Sequence, residues 1–179
     1  MSNESLSIAR PARALLYLHG FNSSSASPKA RLVKAACEVL ARHEGRPFAC
    51  LTPDLSYRPD LAWQQAEAAL ESLGHEDTLL VGSSMGGFLA TLLAERYGLR
   101  AVLINPAVRP ARFVADYLGQ TLLNDASGEQ FTIDNSYFDQ LTALQWERIV
   151  HPSRYLLLLG SADEEVHLAA ISPGGTLVR

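Results

Sequence analysis

Apolar residues gather in six short runs along the chain: ALLYL (14–18), FACLT (48–52), TLLVG (78–82), AVLIN (101–105), YLLLL (155–159) and TLVR (176–179). Most are continuously apolar rather than alternating, as strands covered on both faces of a parallel sheet require. Helical periodicity separates them. Ser27-Pro28 supplies an N-cap and a first-turn proline for KARLVKAACEVLARH, whose Leu32, Val33, Ala36, Val39 and Leu40 are expected to form one core-facing side. Asp60 is placed to cap LAWQQAEAALESL, which Gly74 ends, and FLATLLAERY runs up to Gly98. Strand, helix, strand, helix at this spacing predicts an α/β fold: a mostly parallel sheet with right-handed crossovers, flanked by helices.

The rhythm breaks between about 106 and 150. That stretch carries prolines, Asn-Asp and Ser-Gly turn elements and many aromatics. It is too long for a simple connection, so it is expected to form short helices and loops capping one end of the sheet. Its Phe113, Tyr117, Phe131, Tyr137, Phe138 and Trp146 either line a pocket for an acyl chain or pack the segment onto the core. The whole of 1–179 is expected to be one domain, with 1–12 a flexible N-terminus.

Composition narrows the function classes. The chain has 179 residues, of which 47% are hydrophobic and 19% charged, so it can bury a core and is not of the disordered class. A net charge of −4 lacks the basic face that nucleic acid or an anionic membrane would need. The cluster Lys29, Arg31, Lys34 is offset by Glu38 and Glu44 and reads as a solvated helix face. Cys37 and Cys50 have no C-x-x-C spacing, and reduced, buried thiols are expected of them. The N-terminus has no signal-like apolar core and no run is long enough to span a bilayer, so a cytoplasmic location is expected.

Chemistry concentrates in LLVGSSMGG (79–87). Gly82-x-Ser84-x-Gly86 alone is a weak signal. Between a buried strand and a helix, however, it reads as a nucleophile elbow, a tight turn that puts a serine at the carboxyl end of a strand. Gly82 and Gly86 leave room for that turn, and Gly87 lets the helix approach the sheet. The N–H of Met85, at the helix start, can point at a developing oxyanion. The first strand ends in His19-Gly20-Phe21, a His-Gly pair similar to hydrolase oxyanion loops, where the N–H of Phe21 would complete the hole. The His19 imidazole is expected to be structural rather than a proton carrier. No phosphate-binding glycine motif is present, so no nucleotide site is expected, and no metal site is expected either.

An acid belongs after a later strand in the order Ser, acid, His. Asp163, just past YLLLL, fits best, with Glu164 and Glu165 as competitors. Asp54, at the end of the second strand, is expected to cap a loop or face the substrate. A base should follow the acid, and His167 is the one histidine in the sequence that does. It stands four residues after Asp163, where a further helix and strand would ordinarily intervene. His43, His75 and His151 fall near helix ends or at the wrong sheet edge.

Together YLHGFNSSSASPKA, TPDL, LLVGSSMGG, INPAVRP, DYLGQTLLNDASGEQFTI and YLLLLGSADEEV resemble the YqiA/YcfP-type esterases of the α/β-hydrolase superfamily, over about residues 13–166. The resemblance implies an α/β-hydrolase fold with a small helical cap, carboxylic-ester hydrolysis without a cofactor, Ser84 as nucleophile and Asp163 as acid. It also implies a strand, a Gly-Gly-Asp-His-like segment and a final helix at the C-terminus. GGTLVR is similar to that strand, which places the expected base and helix beyond Arg179, through truncation or natural loss. Losing the helix would bare apolar sheet surface and invite a homodimer. The expected function is hydrolysis of small or short-acyl esters through an acyl-enzyme on Ser84. The alternatives are a thioesterase or acyltransferase on the same fold, and a non-catalytic hydrolase-fold binding protein lacking the histidine.

Overall fold

The structure, a computed structural model, describes residues 11–124, 127–146, 148–160 and 177–178. Asp163, Glu164, Glu165 and His167, and the flexible N-terminus expected over 1–12 apart from residues 11 and 12, lie outside the described residues.

Among the described residues six parallel strands form the central sheet: β1 (Ala14–Leu18), β2 (Ala49–Leu51), β3 (Thr78–Ser83), β4 (Arg100–Ile104), β7 (Tyr155–Leu158) and β8 (Leu177–Val178). Their order is β2-β1-β3-β4-β7-β8. The chain leaves β1 in one direction, to β2, and reaches β3 on the other side. That reversal opens a crevice at the carboxyl ends of β1 and β3, the usual ligand position in an open α/β sheet.

Side chains alternate across the sheet. Leu16, Leu18 and Leu80 face α2 (Pro59–Leu73) and α3 (Met85–Tyr97), and that side holds the main core. Phe88, Leu89, Ala90, Leu93 and Ala94 of α3 are all at or below 2% exposed. A helix buried on so many sides has no polar face to set a period, so its apolar content, more than its pattern, marks it.

Tyr17 and Val81 face the opposite side, towards α1 (Pro28–Glu44). Ser27 caps α1 through its side chain, which accepts from the Ala30 N–H, and Gly45 closes it in a left-handed conformation. Of the expected core face of α1, only Val33 packs towards the sheet, beside Tyr17 and Ala30, and the rest is exposed. Ala30 and Cys37, seven residues apart, meet the sheet, whereas Leu32, Val39 and Leu40 are exposed and Leu32 is 71% exposed. The helix carries two apolar stripes about half a turn apart. The smaller side chains sit over Tyr17, where bulk would hold the helix off the sheet.

Helix ends otherwise follow the sequence, with Gly74 and Gly98 at the C-caps of α2 and α3. Asp60 is a small correction: Arg58 occupies the N-cap, Pro59 opens the helix, and Asp60 lies in the first turn, where its charge suits the helix dipole. Cys37 is buried and Cys50 half-buried, and both are free thiols. Burial pushes the Cys37 thiol up to about 12.

After β4 the chain builds the cap: a 3-10 turn (Pro110–Phe113), α4 (Val114–Tyr117), a hairpin of β5 (Thr121–Leu123) and β6 (Gln130–Thr132), and α5 (Asn135–Ala143). The antiparallel hairpin adds to the short helices and loops expected there. Its strands are only three residues long, below what an alternation pattern can reveal. No described helix is long and apolar enough to cross a membrane.

Candidate active site

Ser84 sits where β3 turns into α3, with φ 52° and ψ −119°, a backbone conformation that side chains other than glycine rarely adopt. Surrounding hydrogen bonds hold it there. Its N–H donates to the Ile104 carbonyl at 3.0 Å, and its own carbonyl accepts from the N–H groups of Gly87, Phe88 and Ala107. The hydroxyl is not used as a helix cap, and Ser84 is exposed while Gly82, Ser83 and Gly86 beside it are buried. A free hydroxyl on an over-determined backbone is the geometry of a nucleophile elbow.

The glycines are dictated by packing. A Cβ on Gly82 would lie 2.2 Å from the Gly86 carbonyl oxygen, and one on Gly86 would lie 2.0 Å from that of Leu18. One on Gly87 would press to 2.7 Å from Pro106 Cβ. The first two contacts are with backbone, which has no rotamer with which to yield.

The loop after β1 is drawn onto this elbow. A Cβ on Gly20 would be 3.3 Å from Ser84 Cβ and 3.8 Å from Ser84 Oγ, so the His19-Gly20-Phe21 turn passes directly beside the serine. Met85 is the first residue of α3, and its amide has no acceptor in its own helix. Among the described residues no hydrogen bond uses the Phe21 amide. Two uncommitted N–H groups thus border Ser84 from two elements.

His19 is 3% exposed and fully engaged: Nδ1 bonds the Gly20 carbonyl at 2.8 Å and Nε2 accepts from the Leu55 N–H at 3.0 Å. Burial lowers its pKa below the ordinary value, which favours the neutral ring these bonds require. With no free nitrogen, this imidazole pins the β1 loop to the turn after β2. Asp54 supports the same loop by accepting from the Ser25 N–H at 2.7 Å, a bond that lowers its pKa.

Above the elbow lies a cavity of about 630 Å³ between α2, the β1 loop and the cap. Phe113, Tyr117 and Tyr137 of the six cap aromatics line it. Phe131 instead stacks on Tyr57 at 4.1 Å, with Phe21 edge-on at 5.8 Å. Trp146 packs on Phe88, and Phe138 is half exposed. His19 is the only described histidine on the cavity wall, and His43, His75 and His151 do not reach it. Among the described residues no cluster of potential metal ligands occurs.

Two wall residues have places that sequence reasoning did not indicate: Asn105, and Lys29, which in sequence reads as part of a solvated helix face. Asn105 follows β4 with φ 40°, donates its N–H to the Leu158 carbonyl and accepts from the Gly160 N–H at 2.8 Å. It ties the exit of β4 to that of β7, three residues before Asp163. Lys29, in the first turn of α1, donates to Ser83 Oγ at 3.4 Å. An Asn-Pro pair closing a strand was a readable signal for the first. For the second there was none, because a lysine on a helix is ordinarily solvated.

A profile of an uncharacterised protein family (UPF0227) matches residues 14–170, and this is the YqiA/YcfP group that the motifs resemble. Solved structures share the architecture. A candidate hydrolase from Agrobacterium vitis S4 is 19% identical with a TM-score of 0.55, the match covering 76% of this chain and 64% of that one. Alpha/beta hydrolase domain-containing protein 10 from mouse is 18% identical with a TM-score of 0.64, covering 86% and 70%. Est1E from Butyrivibrio proteoclasticus is 16% identical with a TM-score of 0.57, covering 87% and 70%. At these identities the likeness is one of fold: this chain has the α/β-hydrolase fold and spans about two thirds of the length of those proteins.

Proposed function

The chain belongs to the uncharacterised protein family UPF0227, and from that premise we propose that it is a serine hydrolase of small or short-acyl carboxylic esters. The observation that carries this reading is the Ser84 backbone, held at φ 52° with its hydroxyl free on the floor of a largely apolar cavity. In the proposed reaction Ser84 Oγ attacks the ester carbonyl as its proton passes to a histidine. The N–H groups of Phe21 and Met85 receive the developing oxyanion. Collapse of the tetrahedral intermediate expels the alcohol, protonated by the same histidine. Water then adds to the acyl-enzyme, and collapse frees the acid and restores Ser84. Asp163 orients the histidine, and a thioester would follow the same course.

The commitment of both His19 nitrogens supports a base elsewhere in the chain. His167 is the histidine after Asp163, and it is the variant that tests a base within residues 1–179. The decisive experiment pairs 4-nitrophenyl butyrate turnover with labelling by a fluorophosphonate. Labelling that maps to Ser84, with labelling and turnover both lost in Ser84→Ala, upholds the proposal. A folded protein that neither turns over ester nor takes the label would instead be a binding protein on a hydrolase fold.

A further inference from the structure

Resting on that reading, and deepening it, we infer that Lys29 is a specificity residue, its ammonium receiving an anionic group of the substrate beside Ser84. Of the Lys and Arg side chains described, Lys29 alone borders the cavity. Its Nζ is anchored on Ser83 Oγ at 3.4 Å. Ser83 is 4% exposed and immediately precedes the nucleophile. The anchor therefore holds a cation at the floor of the site.

No described ion pair neutralises that cation. The described ion pairs join Arg13 to Asp77, Arg46 to Glu44, Arg58 to Asp60 and Arg96 to Glu67, and none involves Lys29. The first turn of α1 holds no acidic residue either, so the helix dipole adds to the positive potential there. Elsewhere the wall is mostly aliphatic and aromatic, with Leu89, Leu122, Ile133 and Tyr137 among its residues, and its one described carboxylate, Asp116, forms no described ion pair with Lys29. A largely apolar chamber with one fixed cation beside the reacting serine selects an amphiphilic anion: an ester whose apolar part fills the chamber and whose carboxylate or phosphate meets Lys29. A charge-assisted hydrogen bond supplies that discrimination, and added salt weakens it because Lys29 is open to solvent.

Two measurements on the full chain test this, one independent of turnover. By calorimetry, the ratio of hexanoate to hexanamide affinity should fall about tenfold in Lys29→Ala and Lys29→Met and recover in Lys29→Arg. For catalysis, kcat/KM is compared for 4-nitrophenyl hemisuccinate against 4-nitrophenyl butyrate, and for 4-acetoxybenzoate against 4-nitrophenyl acetate. A fall of about tenfold in the anionic-to-neutral ratio for either pair supports the inference and tells whether the charge sits on the acyl or the alcohol side. Unchanged ratios in all three comparisons would overturn it, as would equal losses on anionic and neutral ligands. If no ester is turned over while hexanoate binding still depends on Lys29, the hydrolase reading fails and the anion site stands.

Discussion

From Thr78 to Ala94 the chain is almost wholly buried, and its turn is fixed by backbone meeting backbone: Gly82 against Gly86, Gly86 against Leu18. The cap, which forms the other wall of the same cavity, is held differently. Tyr117, Leu118, Leu123 and Phe138 are each at least 43% exposed. The hairpin is tied down by the Phe21–Phe131–Tyr57 ring stack and by side-chain hydrogen bonds from Asn22 Nδ2 to the Leu123 carbonyl and from Tyr57 OH to Glu129. On the proposed reading, a site that must hold a reactive serine still and admit a substrate can divide those tasks between its two walls. Side-chain stacks can repack in small steps, whereas backbone packed too closely to admit a Cβ cannot.

The largest effect should come from filling an elbow glycine. Gly86→Ala drives a methyl into the Leu18 carbonyl, with the His19 carbonyl only 2.5 Å away. The expected loss exceeds about 4 kcal/mol, read as failure to recover folded protein or as a collapse of the urea midpoint. A variant that melts like the parent would show that the elbow can shift, and the contrast with the cap would go with it.

Next in size is a matched pair of phenylalanines. Phe88→Ala empties a fully buried site against Trp146 and should cost about 3–5 kcal/mol. Phe131→Ala should cost about 2–3 kcal/mol, because Tyr57 and Phe21 stand at an open rim and can close over the gap. Hydrogen exchange sharpens the distinction. The loss of Phe131 should raise exchange in 121–132 well before 85–97, while the loss of Phe88 should raise both together.

The same division explains what could be read from the chain. Strand starts and ends, the Ser27 cap and the C-cap glycines at 74 and 98 depend on short-range rules, and the elbow is one continuous stretch of sequence. The cap depends on contacts across long sequence distance, such as Tyr57 OH on Glu129 or Asn22 on Leu123, which no local pattern announces. The error on α1 has a related cause. Its bulkier apolar stripe, Leu32 and Val39, outweighed Ala30 and Cys37 in any count, yet the sheet beneath selects small side chains for close approach. Ser84 was thus legible and Lys29 was not, since the bond that brings Lys29 to the site spans 54 residues.

A smaller effect concerns the joint between the walls. His19 is neutral in the fold, its pKa depressed by burial from an unfolded value of about 6.5. Above that value both states are neutral and the stabilisation is fully present. As pH falls through it the unfolded chain gains a proton that the folded chain refuses, so stability falls with pH until the folded pKa is reached. Urea midpoints at about pH 8 and about pH 5.5 should therefore separate in the parent. They should separate less in His19→Gln. An equal separation in both would place the pH dependence on other groups.

The smallest effect has the opposite sign. Ser84 holds a positive φ that a side chain resists, a strain of about 1–3 kcal/mol. Ser84→Gly relieves it but adds freedom to the unfolded chain worth about 0.5–1 kcal/mol. A net gain of about 1 kcal/mol is expected in the unfolding free energy. Ser84→Ala keeps the conformation and its strain, so its stability should stay close to that of the parent, while fluorophosphonate labelling is lost in both variants. The difference between the two isolates the cost of the elbow backbone from the worth of its hydroxyl. If the glycine variant proves less stable than the alanine one, the strain is not stored at Ser84, and the rigidity of this wall must come from packing around it alone.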